Sequence, residues 1–80
     1  MVKMDFTYTK STLFITLNGI INKKDIITLK RKMYYIVDEY EIDNIVLDIK
    51  NIKNMDYDAF YDFLDNYDIK YQGHLEVIEN

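Results

Sequence analysis

From residue 4 to residue 9 the chain alternates apolar and polar side chains, with Met4, Phe6 and Tyr8 set against Asp5, Thr7 and Thr9. A period of two places each set on its own face, so this stretch reads as a half-buried strand. Lys10-Ser11 makes a short polar break. Leu13, Ile15 and Leu17 then continue the alternation through a second strand over 12–18. The pair suggests a tight antiparallel hairpin, although the break lacks an Asn-Gly turn. Gly19 reads as the end of the second strand.

The period then changes. Ile26, Leu29, Met33, Ile36, Val37 and Tyr40 recur at three- and four-residue steps, which makes one apolar stripe on a helix of about five turns. Asn22 is a good N-cap, and Asp25 suits the positive end of the helix dipole. Lys23, Lys24, Lys30, Arg31 and Lys32 lie mostly off the stripe. Asp38, Glu39 and Glu41 gather at its end, where the dipole disfavours each by a few tenths of a kcal/mol, roughly. Packing has to outweigh that cost.

Residues 44–49, around Ile45-Val46-Leu47, are the most hydrophobic stretch and read as a strand covered on both faces, the usual state of a parallel strand. Residues 50–54 read as the loop that follows. A second helix is expected over 56–67, capped by Asp56 or Asn54, with Phe60, Phe63, Leu64, Tyr67 and Tyr71 inward and Asp58, Asp62 and Asp65 outward. Gly73 breaks the chain, and residues 74–78 form a last strand. The expected class is α/β: a β-β-α-β-α-β single mixed sheet with two crossover helices, its strand-helix-strand units right-handed and parallel. Residues 1–80 form one domain, with no internal linker, repeat or low-complexity segment.

Eighty residues with 49% hydrophobic content describe a folded domain with a small core. With no cysteine and no proline, neither a disulfide nor a thiolate metal site is available to brace it, so packing, a partner or self-association must. Uncharged runs are too short to span a bilayer and the first residues carry no apolar leader, so a soluble cytoplasmic protein is expected, with no membrane insertion.

The net charge of −4 is unevenly spread. Nine cations face seven anions up to Lys53. Beyond it Lys70 alone faces Asp56, Asp58, Asp62, Asp65, Asp68, Glu76 and Glu79. An acidic C-terminal third argues against binding a phosphate backbone, which needs cations to displace counterions, and suits a basic protein surface. The plainer reading is a solvated helix exterior.

Catalytic chemistry finds little to work with. His74 and Ser11 are the only histidine and the only serine, and they are far apart in sequence. His74 reads as a strand-start residue half in water. The helical aspartates lack the turn glycine and closing glutamate of a calcium loop. Gly19 and Gly73 are the only glycines, so no phosphate-cradling loop exists. No catalytic, cofactor or metal site is expected, and the protein reads as no enzyme. Of the eight tyrosines, Tyr8, Tyr40 and Tyr67 read as core or rim. Tyr34, Tyr57 and Tyr61 lie off the apolar stripes and are candidates for contacts, since tyrosine joins large apolar area to a polar tip.

The order of elements, with four motifs, resembles the STAS domain, the fold of the anti-sigma-factor antagonists and of the cytoplasmic tails of sulfate transporters. Leu13-Phe14-Ile15-Thr16-Leu17-Asn18-Gly19-Ile20-Ile21-Asn22 is similar to that family's second strand and helix entry. Asp43-Asn44-Ile45-Val46-Leu47-Asp48-Ile49 is similar to its central strand. Residues 52–60, with Asp56-Tyr57-Asp58-Ala59, match its Asp-Ser-Ser/Thr-Gly loop, and Gly73-His74-Leu75-Glu76-Val77-Ile78 its next strand. The resemblance implies a bacterial, regulatory, non-enzymatic protein-protein interaction module. In the antagonists a partner kinase phosphorylates the serine two positions after the loop aspartate, and Asp58 stands there. A carboxylate accepts no stable phosphoryl group from a serine kinase and carries about one negative charge where phosphoserine carries nearly two. Ala59 stands where the family has glycine.

The family also continues past its fourth strand, so this chain reads as a STAS-like domain truncated there, with apolar surface left for an interface. The expected partner-binding residues are Asn54, Asp56, Tyr57, Asp58, Tyr61 and Asp62. The resemblance implies as partner an anti-sigma kinase-like protein, or an ATPase subunit such as that of lipid-transport systems. The alternatives are a structural homodimer or assembly subunit, and a small acidic inhibitor that imitates nucleic acid.

Overall fold

The computed structural model describes residues 2–79. Its elements run β1 (Lys3–Thr9), β2 (Thr12–Ile21), α1 (Lys23–Tyr40), β3 (Asn44–Met55), α2 (Tyr57–Tyr71) and β4 (His74–Ile78). They form one four-stranded sheet of order β1-β2-β3-β4. β1 and β2 are antiparallel, whereas β2–β3 and β3–β4 are parallel, each parallel step made through one helix. The expected α/β mixed sheet is therefore the observed one.

Both helices cover the same face. Leu13, Ile15 and Leu17 of β2 and Ile45 and Leu47 of β3 form one buried cluster with Ile26, Leu29, Met33 and Val37 of α1 and Phe60, Phe63 and Tyr67 of α2. Because strand side chains alternate, the other face carries Asp5 and Thr7, Phe14 and Thr16, Val46 and Asp48, and Glu76 and Ile78. The expectation that β3 is covered on both faces is thus corrected: Val46 is only half-buried, on the face that lacks helices.

The hairpin turn uses Lys10 (φ 49°) and Ser11 (φ 64°). Positive φ at both central residues is what a two-residue hairpin requires, even without Asn-Gly. α1 begins in a reciprocal cap: Asn22 Oδ1 accepts from the Asp25 N–H at 2.9 Å, and the Asn22 N–H donates to Asp25 Oδ2 at 3.0 Å. Both helices end on a left-handed residue, Glu41 and Gln72.

Three expected boundaries are corrected. Gly19 does not end β2, which runs on to Ile21; its φ of 98° sits where the β2–β3 register shifts. Glycine serves here as a bend inside a strand. Residues 50–54 are not a loop but the second half of β3, which carries two more residues than β2 opposite it between the Thr16–Asp48 and Ile21–Met55 pairs. Those irregularities break the alternation that would have revealed a strand. α2 runs to Tyr71, a turn beyond its expected end at Tyr67.

Among the tyrosines, Tyr34 is not a surface contact. It lies between the helices against Tyr67 and Tyr71, with its hydroxyl buried. Lys30 and Lys70 ammonium groups stand 5.5 and 5.3 Å from its ring centre. Tyr40 is 57% exposed rather than core, stacked on Tyr8 at 5.8 Å.

Candidate functional site

The end of β3 and the first turns of α2 carry the six residues that the sequence singled out. Met55 is buried and anchors the strand end, and the Asp56 N–H donates to the Ile21 carbonyl at 3.0 Å, tying the helix entry to β2. The site therefore stands on two rigid elements rather than on a free loop.

Two of the six are occupied by backbone duties. Asn54 Oδ1 accepts from the Met55 N–H at 2.9 Å. Asp56 is the N-cap of α2, its Oδ1 accepting from the Ala59 N–H at 3.1 Å. Of the two caps that the sequence allowed, the aspartate is used. Its charge also complements the positive helix end, as does that of Asp58 in the first turn.

Tyr57 and Tyr61 stand one turn apart and stack, ring centres 6.4 Å apart at 29°, and more than half of each is exposed. Phe60 continues this aromatic group into the core, 5.9 Å from Tyr61. Tyr61 is thus backed by Phe60 while the outer faces of both tyrosines meet water. Asp62 lies elsewhere. It lines a shallow groove between the helices with Lys23, Ile27, Lys30 and Asn66, floored by Ile26, Ala59 and Phe63. The structure brings Tyr57 and Tyr61 together at the helix start and sets Asp62 on the flank that faces α1. Sequence reasoning passed over Ile27, which is 55% exposed in that groove; its place one step off the apolar stripe was the available signal.

The clear proton-affinity shifts lie at the other end of the helix pair. Burial pushes the Tyr34 and Tyr67 phenols up, and for Tyr67 the nearby Tyr34 and Asp43 add to it. Tyr71 is pushed up to about 12, first by desolvation and then by its hydrogen bond to Asp38. These groups keep their protons and brace the helices. Among the described residues no cluster of three or more His, Cys, Asp or Glu could hold a metal ion, and no helix is long and apolar enough to cross a membrane.

The chain matches no protein-family model and no curated protein. It does match solved structures. The unphosphorylated anti-sigma factor antagonist SpoIIAA superposes with a TM-score of 0.78 at 12% identity, over 96% of this chain and 71% of that one. The phosphorylated form of SpoIIAA, the Bacillus cell fate determinant, gives 0.68 at 10% identity, over 91% and 68%. A structure of Mglu gives 0.78 at 13% identity, over 95% of this chain but only 19% of that one. The same arrangement therefore also occurs inside a much larger protein. At such identities the likeness concerns the backbone: this chain has the STAS-like fold seen in SpoIIAA.

Proposed function

We propose that the protein is a non-catalytic interaction module that presents the start of α2 to a protein partner, with Tyr57 and Tyr61 as the contact area and Asp56, Asp58 and Asp62 steering cationic groups toward it. The observation that carries this reading is the exposed Tyr57–Tyr61 stack at the helix entry, where Asp56 caps α2 and Asp58 lies in its first turn. Aromatic rings already fixed in place lose little entropy on binding, and charges at the rim raise encounter rates more than affinity.

The STAS-like fold supports a regulatory role of the antagonist kind. The partner would then be an anti-sigma kinase-like protein or an ATPase subunit. Asp58 occupies the position that the family resemblance gives to a phosphorylated serine. With one fixed negative charge in the first turn of α2, it would hold that position in a single, weakly phosphate-like state and remove the switch.

The test is affinity capture from the native host with the wild-type chain and with a Tyr57→Ala/Asp58→Lys variant. Both side chains are exposed, so circular dichroism should report an unchanged fold. A specific partner retained by the wild type and lost by the variant is the expected result. Equal retention by both would remove this surface from the proposal.

A further inference from the structure

We propose that β1 is a self-pairing edge: two copies of this chain join antiparallel through β1, about a twofold axis beside Phe6, into one continuous eight-stranded sheet. The inference stands on a different surface from the α2 site and does not depend on it.

β1 lies at the end of the sheet and, among the described residues, its backbone bonds only to β2. Its pairing with β2 is regular over all seven residues, with no bulge, and the chain has no proline to blunt the edge. Such an unprotected edge is a template for another strand. On the helix face, Met4, Phe6 and Tyr8 stand opposite Leu17, Ile15 and Leu13 of β2. α1 leaves them partly open, and Phe6 and Tyr8 line an apolar groove with Tyr35, Ile36 and Tyr40.

A second copy fits this edge by its own sequence. A twofold axis normal to the sheet keeps every side chain on its own face, so the axis must pass beside a residue rather than between two. Beside Asp5 it would set that carboxylate against its own copy, which is unfavourable. Beside Met4 or Thr7 it would shorten the paired stretch. Beside Phe6 the whole of β1 is paired, Phe6 meets Phe6, Met4 meets Tyr8, Asp5 meets Thr7 and Lys3 meets Thr9, with no like charges opposed. The other edge lacks this property. Full-length self-pairing of β4 (His74–Ile78) centres on Glu76 and sets two carboxylates face to face.

The groove lies where the assembly would leave a gap between helices. α1 packs on β2, and the two copies of β2 would lie three strand spacings apart, about 14 Å. That exceeds the 8–10 Å, roughly, at which helices pack directly. Tyr35, Tyr40 and Tyr8 from each copy are the large side chains available to fill the trough between the two α1 helices.

Sedimentation velocity of the full chain up to about 0.5 mM tests the proposal, a concentration that populates a dimer whose dissociation constant corresponds to roughly −5 kcal/mol or better. The wild type should reach a dimer. Tyr35→Asp, at a position 64% exposed and so harmless to the fold, should weaken the dimer about tenfold or more. Tyr57→Ala/Asp58→Lys should leave it unchanged, which separates this edge from the α2 surface. The chain has no native cysteine, so a mixture of Asp5→Cys and Thr7→Cys chains should cross-link to each other on oxidation while either alone does not. A monomer throughout, a dimer indifferent to Tyr35→Asp, an absent Asp5→Cys/Thr7→Cys cross-link, or an open-ended ladder of oligomers from β1-to-β4 pairing would each overturn it.

Discussion

The Tyr71 hydroxyl donates to Asp38 Oδ1 at 2.9 Å, joining the last turn of α2 to the last turn of α1. This contact gives a reason for an anion at the negative end of α1, where the dipole opposes it. The carboxylate is held by a donor from the neighbouring helix, in a corner where Tyr71 also packs on Tyr34 and Tyr67.

Its first consequence is a pH dependence. The Tyr71 phenol stands at about 12 in the folded chain, against about 10 in an unfolded one. The folded state therefore holds a proton that the unfolded state has already lost. The associated stability is complete below about pH 10 and is lost as pH rises toward about 12. Chemical denaturation across that window should show stability falling in the wild type. Tyr71→Phe should lose about 1 kcal/mol at neutral pH and fall less steeply above pH 10, roughly. The slope should not vanish, because Tyr34 and Tyr67 are displaced in the same direction. Parallel curves for the two proteins would show that the Tyr71 phenol is not displaced in the folded chain.

The start of α1 gives a second prediction. Asn22 and Asp25 satisfy each other's backbone donors reciprocally. Asn22→Ala should cost about 1 kcal/mol of unfolding free energy, whereas Asn22→Asp should cost only a few tenths. Urea denaturation with an unchanged slope is the measurement. Equal losses for both variants would show that the side-chain acceptor is not what matters.

The hairpin turn offers a gain rather than a loss. Lys10 and Ser11 both hold positive φ, which costs side-chain-bearing residues about 1 kcal/mol each where glycine or asparagine suffers less. Lys10→Asn with Ser11→Gly should raise stability by about 1 kcal/mol in total, read from the thermal midpoint. The turn lies at the opposite end of β2 from the Ile21–Asp56 contact that opens α2, so partner capture should not change.

How far the sequence disclosed this molecule depends on whether a local signal was complete. The cap at Asn22 and the stripes of α1 and α2 were legible because pattern and end signal agree within a few residues. β3 beyond Ile49 was not, because its irregular pairing puts Ile52 out of phase with Ile45 and Leu47 and separates it from Met55 by the polar Lys53 and Asn54. Gly19 misled for the same reason, its left-handed φ serving a bend rather than a stop. Tyr34 was misplaced because it lies off the apolar stripe of α1, and only the packing of α2 brings Tyr67 and Tyr71 against it. At the candidate site, the spacing of Tyr57 and Tyr61 places them on one side of any helix. The separation of Asp62 onto the α1 flank needed the packing of the two helices to be known.

The contact between Gly73 and Tyr67 carries the last prediction. A methyl group placed on Gly73 would meet the Tyr67 hydroxyl at 2.9 Å, closer than side chains tolerate. Tyr67 is among the most buried side chains, so its ring cannot swing away cheaply. Gly73→Ala should therefore destabilise the chain by about 1–3 kcal/mol through overpacking. The hydroxyl itself is buried without a protein partner among the described residues. Removing it in Tyr67→Phe should be close to neutral or mildly stabilising, because an unpartnered buried hydroxyl costs about 1–3 kcal/mol. Tyr67→Phe also vacates the space that the alanine methyl needs. The double variant should then recover most of the loss caused by Gly73→Ala, giving a coupling of about 1 kcal/mol or more. Simple addition of the two single effects would mean that Gly73 is required for its backbone alone and that the phenol is a bystander.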